Sequence, residues 1–140
     1  MPGDAATLKV DLIIVGGGLV GGSLAAALAD TSLRIALIEA VPPSAPDRPS
    51  FDDRSTALAP GSRELLESMG VWSAVADAVA AIDVIHVSDR GHPGRVLLSA
   101  REQGVPVLGH VVPNRALGRA LLARLEAQDN LRVIAPARVS

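Results

Sequence analysis

Hydrophobic positions along this chain fall into short blocks whose period changes from one block to the next. Val10 to Val15 is a continuous apolar run rich in β-branched residues, which predicts a strand buried on both faces of a parallel sheet. A glycine cluster follows, and then Val20, Leu24, Ala27 and Leu28 recur at helical spacing, giving a helix to about Asp30. Leu33 to Ile38 predicts a second strand, ending at Glu39. Strand, glycine turn, helix and strand within about 30 residues make a βαβ unit with a right-handed crossover.

The pattern then breaks. Val41 to Ser50 holds Pro42, Pro43, Pro46 and Pro49 and predicts an irregular loop. Pro60 suits the first turn of a second helix, Leu65, Leu66 and Met69 give it an apolar side, and Gly70 is placed to end it. A short helix is expected over Val75 to Val79. Val84, Ile85 and Val87 predict a strand, Asp89 to Gly94 a turn, and Arg95 to Ser99 the returning strand. Leu117, Leu121, Leu122 and Leu125 mark an amphipathic helix closing near Asn130, and Leu131 to Ile134 is a further strand of the parallel kind. Another strand is expected to begin at Ala137 to Ser140, so the chain is read as truncated.

Composition changes the picture mainly by exclusion. Net charge is −2, with 20% charged residues and 49% hydrophobic ones. That balance offers no basic stripe to neutralise phosphates, and Phe51 and Trp72 as the sole aromatics give no stacking platform, so nucleic acid is not the expected partner. The absence of cysteine removes disulfides, thiolate catalysis and Cys-based zinc sites. Leu12 to Ala29 runs 18 residues without a charge, near the minimum for a membrane span. Five glycines inside that run cost a helix about 1 kcal/mol each relative to alanine, and a strand, glycine turn and helix account for it better.

The chemistry lies in the glycines. Gly16-x-Gly18-x-x-Gly21 follows the first strand and opens the first helix. Gly16 permits a tight turn, Gly18 lets a pyrophosphate approach the backbone, and Gly21 lets the helix pack closely on the strand. The pyrophosphate would then meet free N–H groups at the positive end of the helix dipole. Glu39 stands 18 residues beyond Gly21, where a carboxylate can accept hydrogen bonds from ribose hydroxyls. An acid there disfavours a 2′-phosphate, leaving FAD or NAD as the dinucleotide. Glycines serving only a tight turn are the blander alternative. His86, Asp89, Arg90 and His92 match no common zinc spacing and read as a polar hairpin tip. Ser55 and Ser62 lack a His–Asp arrangement, and Arg63, Glu64 and Glu67 read as a solvated helix face.

Beyond the proline-rich loop the stretches DDRSTALAPGSRELLESMGVW, IHVSDRGHPGRVLLSA and LGHVVPNRALGRALLARL follow DLIIVGGGLVGGSLAAALA and LRIALIEA. In this order the chain resembles the aromatic-ring flavoprotein monooxygenases related to para-hydroxybenzoate hydroxylase, and among them the ubiquinone-biosynthesis hydroxylases. The resemblance implies an α/β fold: a Rossmann-like FAD-binding βαβ unit with the start of a β-sheet substrate region, the N-terminal fragment of a two-domain flavoprotein. Residues 1–140 would be an incomplete FAD-binding domain, with 80–112 the first strands of the substrate-binding sheet. It implies FAD as cofactor, held by Gly16, Gly17, Gly18, Gly21 and Glu39, with Arg54 reaching the pyrophosphate and Asn114 the flavin's ribityl region. By itself Asn114 reads as a helix N-cap, and Pro113 stands where the resemblance leads one to expect an acid. It further implies NAD(P)H as reductant, O2 as co-substrate and a polyprenylated phenol as substrate. The expected setting is cytoplasmic, peripheral at the inner membrane or with a ubiquinone-biosynthesis complex. The 140 residues alone would bind FAD weakly or not at all. Another FAD oxidoreductase with the same N-terminal unit, or a non-catalytic module, are the alternatives.

Overall fold

A computed structural model describes residues 7–42 and 52–139; most of the proline-rich loop expected over 41–50 lies outside them. The βαβ unit is present. Strand β1 (Leu12–Val15) leads through the glycine turn into helix α1 (Leu19–Ala27) and on to β2 (Ile35–Ile38). β1 and β2 pair in parallel with Leu12 opposite Ile35 and Val15 opposite Ile38. Strand β8 (Leu131–Ile134), the last element, pairs in parallel with the other side of β2, Ile35 opposite Leu131. The sheet order is therefore β1-β2-β8, with β2 in the middle.

That order corrects the reading of the first strand as buried on both faces. Ile14 points into the core, but Ile13 is 55% and Val15 66% exposed. Among the described residues β1 pairs only with β2 and is covered on one face, which produces alternation rather than continuous burial. The fully buried run belongs to β2, where Ile35, Ala36 and Leu37 are all buried.

Between β2 and β8 the chain builds a second, antiparallel sheet. Strand β3 (Ser55–Leu58) runs into helix α2 (Pro60–Ser68), with Pro60 in its first turn and Gly70 at φ +73° just past its end. The helix expected over Val75 to Val79 is instead a pair of 3-10 turns, Trp72–Ala74 and Ala76–Ala78. Val71, Trp72 and Val75, in and beside these turns, are all buried in the core. Strand β4 (Ala80–Ile82), the hairpin β5 (Val84–Ser88) and β6 (Arg95–Ser99), the one-turn helix α3 (Ala100–Gln103) and strand β7 (Gly109–Pro113) follow. The sheet order is β3-β7-β4, while β5 and β6 pair only with each other. Helix α4 (Asn114–Glu126) leaves directly from β7 and returns the chain to the parallel sheet.

The core lies between the two sheets and their helices. α1 and α4 pack against each other over Gly22, where Leu121 and Leu125 come within 3.9 Å of the position a Cβ would take. Ile14, Ile35 and Leu37 from the parallel sheet join Leu66, Trp72, Val112 and Leu117 in one cluster. The turn after α4 is fastened by amides: Gln128 donates to Ala25 O at 3.0 Å, and Asn130 Nδ2 reaches the carbonyls of Leu28, Thr31 and Leu33. The two amides thereby tie the turn after α4 to the end of α1 and to the loop that follows it.

After β8 the chain does not begin the strand expected at Ala137 to Ser140. Residues 135–139 are irregular, and Ala137 N–H turns back to donate to Glu39 O at 2.8 Å. Pro136 has no N–H to offer a ladder at that point. Among the described residues no helix is long and apolar enough to cross a membrane.

The mouth of β1 is clamped to the start of β2 by Asp11, which accepts the Arg34 N–H at 2.9 Å, its Nε at 3.0 Å and its Nη2 at 2.8 Å. The Arg34 side-chain hydrogen bonds, and then its backbone N–H, hold the Asp11 carboxyl well below the usual carboxylate range. A carboxyl with a depressed folded-state pKa contributes stability above its unfolded value, about 3.9, and loses it as pH falls through the folded value. Asp11→Asn should therefore lower the urea midpoint at pH 7, with the gap to the parent chain narrowing steadily below pH 4. A gap that stays constant to pH 2 would show that the clamp is not ionic.

Candidate functional site

The glycine turn has a geometry that few other residues could adopt. Gly16 sits at φ +99°, a conformation that costs residues with a Cβ. A Cβ on Gly21 would lie 1.9 Å from Gly16 O and 3.2 Å from Ile14 Cγ2. The first turn of α1 is thus pressed onto the backbone of the turn that precedes it. Gly18 is the N-cap, no side chain caps the helix, and no acid occupies its first turn. The leading N–H groups lie at the positive end of the helix dipole, with no acid in the helix's own first turn to cap them.

Glu39 belongs to the same site by direct contact. Its Oε2 accepts the Gly17 N–H at 2.5 Å and its Oε1 accepts the Val41 N–H at 2.7 Å. A Cβ on Gly17 would come within 3.0 Å of that carboxylate, so the middle glycine of the triplet makes room for the acid. An ionised carboxylate has about four acceptor positions; two are used here. The ends of β1 and β2 open into a cleft of about 450 Å³ lined by Gly16, Glu39, Ala40 and Arg138 among others. This is the carboxyl end of a parallel sheet, where open α/β folds bind ligands. A smaller apolar slot of about 110 Å³ lies beside it, between Gly17, Glu39, Leu37 and Leu125. Arg138 at the cleft has no signal in the sequence beyond its charge.

Arg54 and Asn114 form a second group. Asn114 N–H donates to Arg54 O at 2.9 Å. Arg54 Nε donates to Asp52 Oδ2 at 2.6 Å, and the guanidinium is largely exposed. Asn114 is buried, with Oδ1 accepting from Thr56 Oγ1 at 2.6 Å and Nδ2 donating to Asp52 Oδ1 at 3.2 Å. The N-cap reading of Asn114 is therefore corrected. The cap position is Pro113, no side chain caps α4, and Asn114 is the first helical residue. Its amide turns to Thr56 and Asp52 because β3 lies alongside, with Ser55 opposite Pro113. Pro113 fits as the last residue of β7, entering the helix at φ −62°.

Sequence reasoning missed Asp52. Burial works against its ionisation, but the Arg54 side chain and N–H, with the Asn114 amide, outweigh that and hold its carboxyl below the usual range. The signal was available: a carboxylate two residues before the arginine accepts the Arg54 N–H at 3.0 Å, an Asx turn that fixes the local backbone. The neighbouring Asp53 pairs instead with Arg115. Among the described residues no hydrogen bond or ion pair joins the Arg54–Asn114 group to the glycine turn; α4 connects the two, starting at Asn114 and packing on α1. His86, Asp89, Arg90 and His92 lie on the hairpin, where His92 Nδ1 meets Asp89 Oδ2 at 3.0 Å, both exposed. Among the described residues no group of three metal-ligating side chains gathers.

The two helical glycines separate a required position from a permissive one. Gly21→Ala meets backbone that cannot move aside and should cost about 1–3 kcal/mol in chemical unfolding. Gly22→Ala adds a methyl at ordinary contact distance and should stabilise by up to about 1 kcal/mol through helix propensity. Equal effects from the two substitutions would show that α1 is not seated as described.

Comparison with known proteins gives the family. The model of the FAD binding domain family matches residues 9–139. The chain is 36% identical over 130 residues to the ubiquinone hydroxylase UbiL of Rhodospirillum rubrum, covering 93% of this chain and 30% of that protein. It is 35% identical over 140 residues to the 3-demethoxyubiquinol 3-hydroxylase of Escherichia coli, covering 90% of this chain and 32% of that protein. The chain thus spans under a third of the length of these curated relatives. Among solved structures it shares its fold with PqsL, a probable FAD-dependent monooxygenase from Pseudomonas aeruginosa, at a TM-score of 0.67 and 18% identity, covering 89% of this chain and 32% of that one. The glycine turn, the acid at the end of β2 and a family match over almost the whole chain make one conclusion: this chain belongs to the FAD binding domain family.

Proposed function

We propose that this chain is the N-terminal FAD-binding part of an aromatic-ring hydroxylase that acts on a polyprenylated phenol in ubiquinone biosynthesis, with NAD(P)H as reductant and O2 as co-substrate. The observation that carries the reading is the joining of Glu39 to Gly17 at the mouth of α1. An acid suited to ribose hydroxyls beside an uncapped helix start suited to a pyrophosphate supports this reading. The ubiquinone hydroxylases among the relatives support the substrate class.

In this reading each residue has a physical task. The amides at the start of α1 receive the FAD pyrophosphate, and Gly16, Gly18 and Gly21 keep side chains out of its way. Glu39 takes the ribose hydroxyls with the acceptor positions left after Gly17 and Val41. Arg54 supplies fixed positive charge to the pyrophosphate, and Asn114 holds the ribityl region through its amide. FAD supplies the redox chemistry when bound; the protein binds it, orients it and excludes water from it. Residues 80–112 would begin the substrate-binding sheet. The hairpin favours this, because Val84, Val87, Val96 and Leu97 are each more than half exposed on a ribbon of two strands. A polyprenyl tail calls for a protein working in the cytoplasm at the inner membrane surface or alongside other ubiquinone-biosynthesis proteins.

Titration of the 15N-labelled chain with FAD should move the amide resonances of Gly16 to Gly21 with a weak affinity, and Glu39→Ala should weaken it about tenfold. NADPH, with its 2′-phosphate, should not displace FAD from this site. In the complete gene product, phenols should stimulate NAD(P)H oxidation. Oxidation indifferent to any phenol would assign the chain to another class of FAD oxidoreductase.

A further inference from the structure

We infer that Asp52 is a positioning residue for the cofactor, aiming Arg54 and Asn114 with a single carboxylate; the inference rests on the reading of those two residues as FAD contacts. The division of atoms carries it. Oδ2 takes only the Arg54 Nε, at 2.6 Å. Oδ1 takes the Arg54 N–H at 3.0 Å and the Asn114 Nδ2 at 3.2 Å. The guanidinium is therefore held by its inner nitrogen, while Nη1 and Nη2 have no partner among the described residues and the side chain is 78% exposed. A fork held at its base with both tips free is the arrangement a diphosphate needs.

The same carboxylate decides which way the Asn114 amide faces. Thr56 Oγ1 donates to Asn114 Oδ1 at 2.6 Å, and Asp52 accepts from Nδ2, so donor and acceptor sides are both fixed. An ionised Asp52 can only accept, which excludes the flipped amide. Asp53 takes no part in this; its carboxylate is spent on Arg115 at 2.9 Å.

A rival role for Asp52 predicts the opposite sign. A carboxylate that merely occupied Arg54 until the cofactor arrived would compete with the diphosphate and repel it, so neutralising it would tighten FAD. A positioning carboxylate, once neutralised, leaves Arg54 disordered and the Asn114 amide free to turn, so FAD binds more weakly.

The test uses this chain, 15N-labelled, with FAD titrated to millimolar concentration. Asp52→Asn should shift both the Arg54 Nε–Hε and the Asn114 Nδ2 resonances before any ligand is added, and should weaken FAD about tenfold. Asp53→Asn should leave FAD affinity within about twofold, and the urea midpoints of the two variants show whether either effect is only loss of fold. Affinity unchanged or tightened in Asp52→Asn, with Arg54→Ala weakening it, overturns the inference and leaves the Arg54 assignment standing. Affinity unchanged in Arg54→Ala, or no response of Arg54 to FAD at all, overturns both.

Discussion

The structure hangs on one backbone contact. The α-carbon of Gly21 lies so close to the carbonyl of Gly16 that a single methyl group would overlap it at 1.9 Å. This contact seats the first turn of α1 directly on the end of β1. With the helix so placed, Gly22 one residue on faces Leu121 and Leu125 of α4, and the helix start lies just past Gly16, which lines the cleft at the ends of β1 and β2. A helix set a few tenths of an ångström higher would still fold. It would not deliver the amides of its first turn to the same point.

α4 carries that placement across the molecule. At about 1.5 Å per residue, its 13 residues span about 20 Å. Its first residue, Asn114, is locked to β3 through Thr56 and to the segment just before β3 through Asp52. Its middle packs on α1, and the turn after it binds the end of α1 through Gln128 and Asn130. The two groups of site residues, which make no direct bond to each other among the described residues, are thereby held by one rigid rod. Helix α4 is a structural part of the cofactor site although only its first residue touches the polar network.

How much of this was legible depended on range. The βαβ unit, its glycine turn and the acid at the end of β2 are local, with each residue's role set by neighbours a few positions away, and the sequence reads them directly. The hairpin of β5 and β6 was legible for the same reason. Other features depended on what the chain meets later. β1 has the composition of a buried strand but becomes an edge because β8 chooses the far side of β2. Asn114 has the residue type of an N-cap but lies beside β3, 58 residues earlier, and spends its amide there. Val71, Trp72 and Val75 are buried at a spacing an α-helix would also serve, so the pattern does not distinguish that helix from the two 3-10 turns that form. Asp52 was overlooked because an acid beside an arginine usually reads as surface charge; only the burial of Asn114 shows that its carboxylate serves two partners.

The exposed apolar residues are not distributed at random over this fold. Ile13 and Val15 lie on the uncovered face of β1, Val20 stands 86% exposed at the start of α1, and the hairpin adds apolar residues from both of its strands. Two-stranded ribbons are marginal in water without a covering partner, and an edge strand with a bare apolar face is an invitation to pairing. Polar substitutions would have removed these faces at little cost to the packed core, since none of these side chains belongs to it. Under the proposed function they have a purpose: β1 and α1 flank the cofactor cleft and the hairpin opens the substrate sheet. The polar network of Asp52, Arg54, Thr56 and Asn114 is the counterpart to this. Apart from the free tips of the Arg54 guanidinium it is formed within the chain itself, so the placement of Arg54 is set locally and does not wait on whatever covers the apolar faces.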